Sequence, residues 1–135
     1  MRRGLSNAVI LLIIAIFLVM ISLVFYNSAN KKSEARDDLR REHLDLIARG
    51  EETYFDRYGK YTDSVADLGR NMKFTLPSDP VTRKPYVIFV NEAASEWCAV
   101  AQSEVINNQY FTRTAARLQV VNGAPVNVQT CKQNI

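Results

Sequence analysis

Residues 8–26 read AVILLIIAIFLVMISLVFY, nineteen positions without a charge, a Gly or a Pro, and with Ser22 as the one clearly polar side chain. As a helix, at about 1.5 Å per residue, the run is roughly 28 Å long, close to the ~30 Å hydrocarbon core of a bilayer. A helix is the form such a stretch takes in lipid, because every backbone N–H and C=O has to be satisfied within the segment. The competing reading is a buried core helix. It requires the rest of a short chain to cover a helix that is apolar on all sides, and too few residues remain to do so. Residues 8–26 are therefore read as a transmembrane helix.

The rest of the chain fits that division. Its 135 residues leave room for one small domain after the apolar run. The mean hydropathy of −0.13 averages an apolar head with a polar remainder. Net charge is +3. Charges alternate in sign through residues 31–57, the pattern of a solvated helix face rather than of a nucleic-acid patch, so no nucleic-acid partner is expected. The head is longer than a signal-peptide core, and its nearest exit, Asn27-Ser28-Ala29, puts Asn where a small residue is needed; this favours a retained anchor. Arg2 and Arg3 precede the run, while Lys31, Lys32, Arg36, Arg40 and Arg41 follow it, so Lys and Arg counts alone favour keeping the following flank inside. Two cysteines in a small domain without a metal-ligand cluster suit an oxidising compartment. The expected topology is a single-pass protein of the cytoplasmic (inner) membrane, N-terminus inside and domain outside.

Along the chain, residues 1–7 form a short basic segment in which Ser6 or Asn7 can cap the helix. Helix propensity dips at Asn27-Ser28-Ala29-Asn30. The helical signal then resumes over residues 27–60, with an apolar stripe at Ala35, Leu39, His43, Leu46, Ile47, Gly50, Tyr54 and Tyr58. Arg36, Asp37, Arg40, Arg41, Asp45, Arg49 and Glu52 are read as its solvated face. No Pro precedes Pro77, so residues 8–58 can form one rod roughly 75 Å long. Gly59 is the expected stop, followed by a short amphipathic turn, Ser64–Leu68, closed by Gly69. Residues 61–135 then form the domain proper. Pro77, Asp79, Pro80 and Pro85 mark a loop. Tyr86–Val90 and Trp97–Ala101 read as a hairpin across Asn91–Glu96, and Arg117–Val121 with Val126–Thr130 as a second hairpin across Asn122-Gly123. Asn107–Arg113 reads equally as a loop or an edge strand. The fold class expected is α+β: a long N-terminal helix, half membrane-borne and half amphipathic, packed on a small antiparallel sheet.

Catalytic chemistry is hard to assemble from these residues. His43 is the single histidine and lacks partners at ligand spacing. Asp37-Asp38 and Glu51-Glu52 are sequence neighbours, which on a helix point about 100° apart rather than at one substrate. There is no Gly-rich phosphate loop, and no second His to activate a Ser or Cys. Trp97 reads as core. The expectation is a non-enzymatic protein with no catalytic residues, no cofactor and no metal site. Cys98 and Cys131 read either as a disulfide, worth about 3.7 kcal/mol on the chain-entropy account of a 33-residue loop, or as two free buried thiols.

Taken in order, these parts resemble the type IV pilin-like superfamily, including the type II secretion pseudopilins. Residues 51–68, EETYFDRYGKYTDSVADL, resemble the family's helix end with its Tyr…Gly-x-Tyr-Pro…Leu pattern, with Thr62 in place of the Pro. Leu76-Pro77-Ser78-Asp79-Pro80 through Lys84-Pro85-Tyr86 resembles the Leu-Pro-x-Asp-Pro…Pro-Tyr run that leads into the sheet. The resemblance implies a filament subunit held in the membrane before assembly, alone as a homo-oligomer or with other pilin-like subunits. It also implies a C-terminal disulfide such as Cys98–Cys131 and processing by a prepilin peptidase between Gly4 and Leu5. The departure is at the N-terminus: Val9 stands where the family carries a Glu five residues after the cut. Val105–Ile135 holds no Asp or Glu, so the calcium loop of major pseudopilins is not expected. The alternative is a single-pass protein whose outer domain is a binding or scaffold module that never polymerises.

Overall fold

The computed structural model describes residues 7–73 and 75–132. Helix α1 runs without interruption from Asn7 to Tyr58, so the dip in propensity at residues 27–30 does not break it. It ends where expected. Gly59 takes φ +68°, a left-handed conformation that costs a glycine little, and its N–H returns to the Phe55 carbonyl at 2.7 Å.

Helix α2 (Val65–Met72) is longer than the expected turn at Ser64–Leu68. Ser64 caps it, its Oγ accepting the Asp67 N–H at 3.2 Å. Gly69 does not close the helix. Buried Leu68 and Asn71 hold the second turn in place, and such packing outweighs the ~1 kcal/mol that a mid-helix glycine costs. Gly50 of α1 makes the α1–α2 approach close: a Cβ there would lie 2.8 Å from the Met72 sulfur.

The sheet is a four-stranded antiparallel meander in the order β1 (Val87–Val90), β2 (Trp97–Gln102), β3 (Gln109–Arg113), β4 (Leu118–Asn122). The first hairpin is as expected, with Val90 opposite Trp97 and Val87 opposite Val100. The second is not. Leu118–Asn122 pairs with Gln109–Arg113, Gln109 opposite Asn122, which makes β3 an inner strand rather than a loop or an edge. Residues from Val128 to Lys132 form a short helix, α3, in place of the strand expected at Val126–Thr130. The reason is local. Asn127 Oδ1 accepts the Thr130 N–H at 2.9 Å, and Thr130 Oγ1 accepts the Asn127 N–H at 3.1 Å, a reciprocal cap that starts a helix.

The sheet therefore has a helix on each face. Ile88, Trp97, Ala99, Ala101 and Phe111 pack with Leu44, Ile47 and Ala48 of α1 and Leu68 of α2 in one core. On the opposite face Cys98, on β2, is bonded to Cys131 of α3 at 2.08 Å. Thr112 Oγ1 donates to the Cys131 carbonyl at 3.2 Å, and the Gln119 amide donates to the same oxygen. The face of α1 that enters the core is turned from the expected stripe. Asp37, Arg40, Leu44, Ile47, Ala48 and Glu51 are buried, whereas Leu39 and Tyr58 are exposed. Asp37 and Arg40 thus leave the solvated face on which hydropathy alone would put them.

The disulfide closes a loop of 33 residues. Reducing it in the detergent-solubilised protein is expected to lower unfolding stability by about 3.7 kcal/mol. Urea titrations followed by the fluorescence of Trp97, 1% exposed in the fold, measure this; an unchanged midpoint would show that α3 and β2 hold together without it.

Candidate functional site

Two surfaces of α1 differ completely in character. Over residues 9–26 every large apolar side chain is exposed, from Val9 at 41% to Phe25 at 73%. Its most apolar 18-residue window has a mean hydropathy of 3.4 and no part of it is buried by the rest of the chain. The Ser22 hydroxyl is satisfied internally, its Oγ donating to the Leu18 carbonyl at 2.9 Å. This half of α1 is a candidate membrane span by length and composition.

Past residue 30 the helix enters the domain through a cluster of charges. Arg40, 4% exposed, is its centre. Its Nε donates to Asp79 Oδ2 at 2.7 Å and its Nη1 to Asp37 Oδ1 at 2.7 Å, with Glu104 Oε2 at 3.4 Å from Nη1. Asp37 in turn binds the turn between β2 and β3: it accepts the Ser103 hydroxyl at 2.6 Å, the Glu104 N–H at 2.9 Å and the Val105 N–H at 3.3 Å. Asp79 organises the Pro-rich loop, its Oδ1 accepting the N–H groups of Val81 and Thr82 at 2.9 and 2.8 Å. Arg36 closes the cluster with a two-point pair to Glu104, Nε to Oε2 at 2.7 Å and Nη2 to Oε1. One helix turn, one loop and one strand connection are thereby fixed to each other.

The electrostatics follow from those contacts. Burial alone would raise the Asp79 carboxyl, but the Arg40 guanidinium and the two backbone N–H groups outweigh it and bring it down to about 2. Asp37 is lowered too: burial opposes its charge, and the Ser103 hydroxyl, the Glu104 N–H and Arg40 overcome that. Glu51, on the same face of α1, goes the other way. Burial pushes it up to about 7, because among the described residues the Thr62 N–H at 3.2 Å is its one hydrogen bond and Oε1 has no partner. His43 is lowered by burial beside Tyr86, whose hydroxyl lies 2.8 Å from Nδ1; it is a packed residue.

The other positions singled out from the sequence fall as follows. Cys98 and Cys131 are joined, and Val9 lies exposed on the apolar half of α1. The processing positions Gly4 and Leu5 and the cap candidate Ser6 lie outside the described residues. Among the described residues no group of three His, Cys, Asp or Glu is placed to hold a metal ion. Of the basic residues in the C-terminal third, Arg113 pairs with Asp45 at 2.8 Å and Lys132 with Glu96 at 2.6 Å, while Arg117 is exposed. A groove of about 840 Å³ lies between α2 and the loop after it, lined by Val65, Arg70, Lys73, Leu76, Pro85 and Tyr86. Sequence reading missed Arg40, Asp37, Asp79 and Glu104 as a unit. The available signal was spacing, since Asp37 and Arg40 stand seven residues before Leu44 and Ile47.

Replacing Arg40 by Ala leaves Asp37 and Asp79 buried without their cation, and is expected to destabilise the domain by about 3–5 kcal/mol. The pH profile has two limbs. Asp37 and Asp79 stabilise the fold when ionised, so stability falls as pH drops from 3.8 toward about 2. Glu51 binds its proton more tightly in the fold, so its stabilising share is complete below 4.5 and is lost as pH rises to about 7. Burial lowers His43 from 6.5, so its share has the opposite sign and rises with pH toward 6.5. Relative to the parent, Glu51→Gln should remove the loss of stability between 4.5 and 7 while leaving the acid limb; an unchanged neutral slope would refute the assignment. Compared with protein-family models, with characterised proteins and with solved structures, the chain matches none.

Proposed function

We propose that the chain is a structural subunit of a type IV pilus-like or type II secretion pseudopilus filament, anchored in the inner membrane before assembly with its domain on the extracytoplasmic side. The observation that carries this reading is the division of a single unbroken helix. Its first half is apolar on all sides and uncovered; its second half is the spine of a small antiparallel sheet domain. A uniformly apolar helix serves lipid and a filament core equally, because neighbouring helices replace lipid tails by close packing without specific polar pairs. The quoted motifs of residues 51–86 and the Cys98–Cys131 bridge support the same family. Prepilin peptidase and further pilin-like subunits, or copies of this chain, are the partners this reading requires. The domain has a structural role and no catalytic one.

One observation favours a second reading. Val9 leaves the apolar half without the acidic group that, in the resembled family, pairs with a neighbour's new N-terminus. A buried amine without such a partner is costly. On that ground the alternative is a permanent single-pass anchor carrying a binding or scaffold domain.

Intact mass of protein extracted from its native membrane separates the two. The filament reading predicts a chain beginning at Leu5, together with filaments in electron micrographs at raised expression. A chain that retains Arg2 and Arg3, and stays monomeric on extraction, would overturn it in favour of the permanent anchor.

A further inference from the structure

At the end of the domain nearest the apolar run, Val105 and Ile106 stand side by side and half exposed. They occupy the connection between β2 and β3, residues 103–108, and contribute nothing to the core. That connection is rigid. Ser103 N–H donates to the Gln109 carbonyl at 2.9 Å, Ile106 N–H to Ser103 Oγ at 3.1 Å, and Gly123 N–H to the Asn108 carbonyl at 2.7 Å. It is also bolted to α1 by the Asp37 and Arg36 contacts given above, and Ser33 Oγ lies 3.4 Å from Glu104 Oε1. The tip therefore sits level with residues 33–37, about 10–16 Å beyond Tyr26 along the helix axis. Its one charge, Glu104, is compensated by Arg36 and Arg40.

We infer that this turn is a second membrane contact: with α1 inserted, Val105 and Ile106 rest in the headgroup layer and set the tilt of the helix. The inference builds on the reading of residues 8–26 as a membrane span. An upright helix would leave the tip just short of a headgroup layer about 5–8 Å deep. The tip stands off the helix axis by about one helix diameter, ~10 Å. A tilt of 20–40° toward the sheet, within the ordinary range for spanning helices, lowers it by ~3–6 Å through its offset and by a further ~1–4 Å through the shortened axial height, which together bring it to the layer. Lys31 and Lys32, exposed on α1 between the span and the turn, lie at the level of the lipid phosphates. Exposed Glu34 borders the same tip and stops it from passing below the headgroups, so the contact is shallow. Two apolar side chains held in a rigid turn, close to a bilayer, fit that interface better than open water.

The test uses the full chain in phosphatidylcholine–phosphatidylglycerol vesicles containing a lipid with a nitroxide on its headgroup, which quenches nearby tryptophans. Ile106→Trp places a reporter at the tip, and Tyr58→Trp places one at the far end of α1, about 48 Å beyond Tyr26. Trp97, buried, is a constant background in both. Flotation with the vesicles reports insertion, and the thermal unfolding of each variant reports folding. The expected result is that both variants float and that Ile106→Trp loses at least about one third of its added emission while Tyr58→Trp loses none. Equal quenching of two floating, folded variants would overturn the turn contact and leave the anchor intact. Protein that does not float would overturn the membrane reading itself, and the turn contact with it.

Discussion

The domain depends on the burial of the Arg40 guanidinium between Asp37 and Asp79. Taking three charges out of water costs several kcal/mol each, and hydrogen bonds return that only when nearly every donor and acceptor is used. Here they nearly all are, since Arg40 reaches both carboxylates while backbone N–H groups of the loop and the turn fill the remaining oxygens. An apolar contact tolerates sliding; this one does not. Moving α1 by one turn, about 5.4 Å, would strand the guanidinium away from both carboxylates. The cluster thus fixes where along the helix the sheet sits, and so how far the domain stands from the apolar half.

Glu51 shows what the same face of the same helix does without such partners. Fourteen residues beyond Asp37, it is as fully buried, yet among the described residues it is met by a single backbone N–H, and the charge of Asp63 raises it further. Asp37 is held ionised and Glu51 is pushed toward its neutral form. The difference lies in what each meets and not in the helix. One end of the buried stripe is an electrostatic lock and the other a carboxyl kept in reserve near neutral pH.

Much of this architecture was legible in the chain. The long helix, its stop at Gly59, the first hairpin and the α+β class follow from apolar run, glycine and alternation, signals that local physics does not contradict. The buried face of α1 was less so. Residues 33, 37, 40, 44, 47, 51 and 54 step alternately by four and three, the regular seam of a packed helix, but its members at 37, 40 and 51 are charged. A reading that equates burial with apolarity slides to a neighbouring stripe, and it did so by choosing Leu39 and Leu46 over Leu44. The C-terminal segment failed for another reason. Val126–Thr130 alternates like a strand, and at five residues periodicity cannot tell strand from helix; the cap formed by Asn127 and Thr130 decides. With that segment removed from the sheet, β4 was left to pair with β3, the element the sequence left open.

The bridge from α3 to β2 also sets the path that tension takes through the molecule. A pull applied beyond Cys131 does not travel back through α3, β4 and β3 in turn. It crosses the sulfur–sulfur bond directly into Cys98, on the strand that packs against α1. The segment between the two cysteines, a sequence separation of 33, is thereby out of the load line. From β2 the force passes across the Trp97–Ala99–Ala101 core face onto α1, and in shear rather than strand by strand. Beneath it lies an unbroken helix with no hinge to absorb the strain. The domain and its apolar half are built as one tether, stiff along its length and covalently short-circuited between α3 and β2.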